Sequence, residues 1–138
     1  MKIVLNNDWG TFDLSAKGFV RYFELKGQPY EMFTRGKDST IDFTSFTHIT
    51  ELPEDHIYVM FFNNLEGEIF LNSEPIQRND PALIQTVEEL GKDVNTDYSD
   101  LVIIEIPDDV DWIVQGYDGC EWVAEKHRTW RVPSEGEV

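Results

Sequence analysis

The stretch "RNDPALIQTVEELGKDVN", residues 78 to 95, carries a complete set of helix start and stop signals. Asp80 is a capping residue and Pro81 falls at the first helical position. Leu83, Ile84, Val87 and Leu90 recur at helical spacing, and Gly91 ends the run. A second helix is predicted in "LSAKGFVRYFELKG", residues 14 to 27. There Ser15 caps, Leu14 and Phe19 hold the spacing of a hydrophobic staple, and Gly27 supplies the stop. Gly18 lies inside this helix and costs about 1 kcal/mol of propensity, so a close neighbour is expected beside it.

The other apolar segments have strand character. "KIVLNN" stops at a turn-prone Asn-Asn-Asp, "PYEMFT" alternates, and "IYVMFF" and "EIFLN" face each other across "NNLEG". The unbroken run Ile57–Phe62 predicts a strand buried on both faces, and "LVIIEIP" is another interior type. "WIVQGYDGCEWVAE" reads as a closing hairpin turned at Asp118–Gly119, the pair that a type I′ turn favours. Residues 36–56 have no helical period; they read as a loop or excursion, with room for a short edge strand in "TIDFTSFT". Two helices among about six strands define an α+β fold: a mostly antiparallel sheet with both helices packed on one face. The first strand, followed directly by a helix, is the one open to parallel pairing. The expected organisation is a single domain over 1–132 with a frayed tail at 133–138.

Charge is the most informative bulk property. The chain has a formal net charge of −16. Residues 38–111 hold eighteen acidic side chains against two basic ones, Arg78 and Lys92. Such a field repels nucleic-acid backbones and anionic membranes and attracts basic surfaces. Acidic side chains also keep small proteins soluble, which is the commoner reason for them. No run of eighteen apolar residues predicts a membrane span, and the N-terminal apolar run is too short for a secretory signal. One cysteine, Cys120, rules out an intramolecular disulfide and a cysteine-based zinc site, which fits a reducing, cytoplasmic setting.

Several stretches, "MKIVLN", "GTFDLS", "RNDPALIQTVEELG", "IIEIPDDVDW" and "YDGCEWVAEKHRTW", resemble in this order a family of small hypothetical proteins of tailed bacteriophages and prophages. The family's N-terminus reads with a Gly-Gly pair before the Phe and a "GLS" ending. This chain has Gly10–Thr11 and Asp13 there, so no role for glycine flexibility carries over. Residues 36–75 lie outside the resemblance. What it implies is a phage or prophage origin and expression in the host cytoplasm; it implies no chemistry.

The C-terminal strip is the first candidate site. Strand alternation places Glu121, Val123, Glu125 and His127 on one face and Trp122, Ala124, Lys126 and Arg128 on the other. Glu121, Glu125 and His127 combine acid, base and ligand types, with Arg128 as an anion clamp. A solvated strand face with ordinary ion pairs to Lys126 or Arg128 is the commoner fate of such residues. His48 and His56, with Glu51, Glu54 and Asp55 between them, are metal-ligand types at a spacing that matches no metal motif. Trp9 and Phe12, in the loop after the first strand, are placed to stack on a ligand ring, although packing in the core is the more usual use. That loop lacks the Gly-rich spacing and Lys of a phosphate cradle, and no cofactor is expected. Cys120 has no assured basic partner and reads as non-catalytic. The four tryptophans suit core or interface anchors better than a base-stacking platform, which needs a basic groove.

Three functions compete on these observations. The expected one is a non-enzymatic accessory protein that binds a host protein with a basic surface, or sequesters a small-molecule ligand, in one form as a homo-oligomer. The alternatives are a small hydrolase or nucleotide-processing enzyme that uses Glu121, Glu125, His127 and Arg128, and a minor virion component.

Overall fold

Both predicted helices form, and their ends follow the local chemistry. A computed structural model describes residues 1–34, 47–53, 59–65, 68–71, 75–128 and 130. Helix α1 spans Ala16–Lys26. Ser15 Oγ accepts the Gly18 N–H at 3.1 Å, which satisfies one of the first-turn donors. At the other end Gly27 takes a φ of +64°, its N–H donates to the Glu24 carbonyl, and the Gln28 N–H donates to the Phe23 carbonyl. This is a Schellman ending, and glycine adopts it without Cβ strain. Helix α2 spans Pro81–Leu90, and a 3₁₀ turn, Gly91–Val94, continues from it. Asp80 caps α2 through Oδ1, which accepts the Ala82 N–H at 2.9 Å.

The same Asp80 carboxylate joins the two helices. Its Oδ2 accepts the Tyr22 hydroxyl at 2.9 Å and the Lys26 ammonium at 3.0 Å. Burial works against the charged carboxylate, but these bonds and the Ala82 N–H outweigh it, so its pKa lies below the usual carboxylate value. Arg21 adds a two-toothed bond to Glu89 across the helix pair at 2.6 and 3.1 Å. Gly18 has the close neighbour that its cost predicts. A Cβ there would lie 3.1 Å from Val94 Cγ2 and 3.2 Å from Leu14 Cβ.

Eight strands are present among the described residues: β1 Lys2–Asn6, β2 Glu31–Thr34, β3 Thr47–Ile49, β4 Val59–Leu65, β5 Glu68–Leu71, β6 Leu101–Glu105, β7 Trp112–Tyr117 and β8 Cys120–Glu125. Every pairing among these strands is antiparallel, so the α+β class holds. The strands are divided among sheets of two, four and two, ordered β1-β6, β3-β2-β4-β5 and β7-β8. Among the described residues β1 makes no parallel pairing. After α1 the chain enters the four-stranded sheet as β2, and β1 receives β6 from the opposite direction, with Lys2 opposite Glu105 and Asn6 opposite Leu101.

The core lies where α1 covers the four-stranded sheet and α2 backs β1 and β6. Phe23, 1% exposed, has its ring centroid 5.6 Å from Phe61 and 5.4 Å from Tyr30. Val4, Leu14, Tyr22, Met32, Leu83, Val87, Val94 and Leu101 belong to the same buried cluster. In β4, Phe61 is buried in this core, and Phe62 meets Phe33 edge-on at 5.1 Å on the other face. This matches a strand with apolar contacts on both faces, although Ile57 and Tyr58 lie outside the described residues. Most of the "TIDFTSFT" segment and the tail at 133–138 also lie outside them.

Candidate functional site

Three distant parts of the chain meet at the end of β1, and one buried side chain holds them. Asn6, 0% exposed, donates from Nδ2 to the Gly119 carbonyl at 2.8 Å and to the Asp8 carbonyl at 3.2 Å. Its Oδ1 accepts the Asp100 N–H at 2.8 Å. The loop after β1, the loop before β6 and the tip of the β7–β8 hairpin are thereby tied together. Backbone bonds reinforce the knot, from the Thr11 N–H to the Tyr98 carbonyl at 3.0 Å and from the Asn7 N–H to the Asp100 carbonyl at 2.8 Å. Asn7 also makes an antiparallel bridge with Cys120. The approach is close enough to require glycine. A Cβ on Gly10 would lie 1.9 Å from the Tyr98 carbonyl oxygen, and one on Gly119 would lie 2.0 Å from that of Gly10. The hairpin tip turns as its sequence predicts, with φ of +48° at Asp118 and +92° at Gly119.

Glu121, four residues after the start of this turn, sits at the base of the knot. Among the described residues, no strand pairs with the edge of β1 that faces away from β6. The Val4 N–H donates to the Arg78 carbonyl at 2.8 Å, and the Asn6 N–H donates to Glu121 Oε1 at 2.7 Å. A carboxylate thus stands where a neighbouring strand's carbonyl would be, which covers an otherwise exposed edge. Arg78 donates to both oxygens of Glu121, at 2.6 and 2.8 Å, in the parallel two-bond geometry that suits a guanidinium. Its Cζ lies 3.5 Å from the centre of the Phe12 ring, so the cation is also stacked on an aromatic face.

The structure separates the C-terminal strip. Along a strand that rises about 3.3 Å per residue, Glu125 lies about 13 Å from Glu121. Glu125, His127 and Arg128 are exposed, and His127 and Arg128 follow the end of β8. Among the described residues, no hydrogen bond or ion pair links these three to Glu121 or to one another. The partner of Glu121 is Arg78, neither Lys126 nor Arg128. His48 lies on β3 and sets its Nε2 2.6 Å from Glu31 Oε2, with its ring against Phe33 at 5.2 Å. His56 lies outside the described residues, and among them no group of three His, Cys, Asp or Glu side chains is arranged to hold a metal ion.

Of the two loop aromatics, Phe12 packs against the core beneath Arg78, as expected. Trp9 does not pack in the core. It is 70% exposed. Trp122 and Trp130 are also exposed, at 47% and 83%, so these tryptophans are surface residues.

Sequence reasoning singled out neither Asn6, which anchors the knot, nor Arg78, which pairs with Glu121. Arg78 did leave a signal, as one of two cations in a long acidic stretch. A lone guanidinium in such surroundings is a natural ion-pair partner. A cavity of about 220 Å³ is lined by Tyr22, Lys26, Gln28, Ile76 and Asp80 among others. It falls below the roughly 300–1,000 Å³ of pockets that hold drug-sized ligands. No helix among the described residues is long and apolar enough to cross a membrane. The chain matches no protein-family model, no curated protein and no solved structure.

Proposed function

We propose that this chain is a non-enzymatic binding protein that docks on a protein partner with a basic surface. In its sharper form it is a phage or prophage accessory protein, acting in the host cytoplasm, that covers a nucleic-acid-binding or otherwise basic groove on a host protein. The observation that carries this reading is the position of Glu121. It is the least exposed carboxylate of the one strip with enzyme-like composition, and it is engaged by Arg78 and the Asn6 N–H. Its role there is structural, and Glu125, His127 and Arg128 do not converge on it. The net charge of −16 supports attraction to a basic partner, by a force that salt screens.

The test is affinity isolation of the tagged full chain from host lysate, followed by mass spectrometry at low and high salt. The expected result is one stoichiometric protein with a basic surface, retained less well as salt rises, and equally well by His127→Ala. Recovery of no protein partner counts against the reading. A phosphoester turnover that His127→Ala abolishes, with the fold intact, replaces it with the enzyme.

A further inference from the structure

The three loops that Asn6 ties together share a pattern visible only once they are adjacent. Each sets an aspartate beside an aromatic residue: Asp8–Trp9, Asp97–Tyr98 and Tyr117–Asp118. Trp9, Tyr98 and Tyr117 are 70%, 71% and 68% exposed. Residues 7–11, 96–100 and 117–119 include four aspartates and no Lys, Arg or His. Asp8 uses Oδ1 on the Trp9 N–H at 2.7 Å, while Asp97 and Asp118 are exposed and accept no hydrogen bond from a described residue. The backbone beneath is held by the Asn6 bonds and the glycine contacts, so little ordering is required on binding.

Large aromatic side chains held in water on a well-fixed backbone are typical of interaction surfaces. The face of each ring attracts a cation, and a guanidinium stacks on it better than an ammonium because it is planar and less strongly hydrated. The adjacent carboxylates add attraction for cations and repel anions. Charge complementarity therefore selects the occupant. We propose that Trp9, Tyr98 and Tyr117, with Asp8, Asp97 and Asp118, form a docking surface for an arginine-bearing segment of a protein partner. This names the partner chemistry for the basic-surface reading above and rests on it.

The test is fluorescence anisotropy at physiological ionic strength with a labelled peptide of alternating Arg and Gly, beside its Lys–Gly counterpart. The variant Trp9→Ala/Tyr98→Ala/Tyr117→Ala removes the rings and leaves the net charge unchanged. Asp109→Asn/Asp111→Asn removes two carboxylates near the other end of β7. The Arg peptide is expected to bind the wild type more tightly than the Lys peptide does. Its affinity should fall by about tenfold or more in the aromatic variant and by less than about threefold in the charge variant. If the triple variant unfolds, which thermal melting reports, Trp9→Ala and Tyr98→Ala singly are each expected to lose about threefold. Wild-type affinity in the aromatic variants, or a larger loss in the charge variant, overturns the surface in favour of a diffuse acidic field. A wild-type dimer that the aromatic variant dissociates, seen by sedimentation, overturns it in favour of a second copy of this chain. A host partner that holds the aromatic variant as tightly as the wild type overturns the surface while leaving the basic-surface function standing.

Discussion

The tip and the open end of the last hairpin place the same residue type in opposite circumstances. Glu121 and Glu125 lie four residues apart on one face of β8. At the tip, Glu121 is 14% exposed, pairs with Arg78 through both oxygens and caps the Asn6 N–H. At the open end, Glu125 is exposed opposite Trp112. Strand alternation puts both on one face, but of the two only Glu121 is engaged by described residues outside the hairpin. A row of acid, base and cation types along a strand is thus a row of separate environments, each set by what packs across from it.

Mutating the two glutamates should break this symmetry most visibly. Glu121→Ala leaves Arg78 and the Asn6 N–H without their acceptor and is expected to cost about 3 kcal/mol in urea unfolding. Glu125→Ala should stay within about 0.5 kcal/mol. Equal losses would mean that the tip is not anchored as described. A smaller effect, about 2 kcal/mol, is expected for Gly119→Ala, since it combines a positive φ with a Cβ placed 2.0 Å from the Gly10 oxygen. Amide hydrogen exchange should then speed up in the loops before β6 and after β1, which share the knot, and leave α1 unchanged.

The smallest effect contrasts a paired carboxylate with one that burial disfavours. Burial pushes the Asp13 carboxyl above its ordinary value of 3.8, and the Leu14 N–H offsets this in part. A raised folded-state pKa means that the group is best tolerated when protonated. Its contribution is fully present below pH 3.8 and is lost as pH rises through the folded value. Asp13→Asn keeps the Oδ1 acceptor, so it should raise the melting temperature at pH 7, with the gain gone below about pH 3.8. Glu89 behaves in the opposite sense. Bonds from Arg21 and Gln85 hold it at about 2, so its contribution is present above its ordinary 4.5 and is lost as pH falls toward 2. A thermal melt series of wild type and Asp13→Asn from pH 2 to 7 reads the Asp13 effect directly.

Much of the local architecture was legible because its causes are local. The caps at Ser15 and Asp80, the stop at Gly27 and the turn at Asp118–Gly119 depend on residues within a few positions of one another. Even the cost of Gly18 pointed correctly to a close neighbour, though not to Val94 as that neighbour. The candidate strip was legible only as composition. That Glu121 would be engaged and Glu125 left in water depends on Arg78, 43 residues away, and on Asn6, 115 residues away.

By itself the sequence determined two capped helices, antiparallel hairpin segments and an acidic chain, since side-chain periodicity, φ preferences and charge are properties of short segments. Tertiary structure alone decided that β1 would pair with β6, that the strands would divide into three sheets, and that Asp8–Trp9, Asp97–Tyr98 and Tyr117–Asp118 would meet. Those outcomes depend on buried hydrogen bonds between segments far apart in the chain. An unpaired edge N–H or a buried amide takes whichever acceptor the whole fold brings within reach.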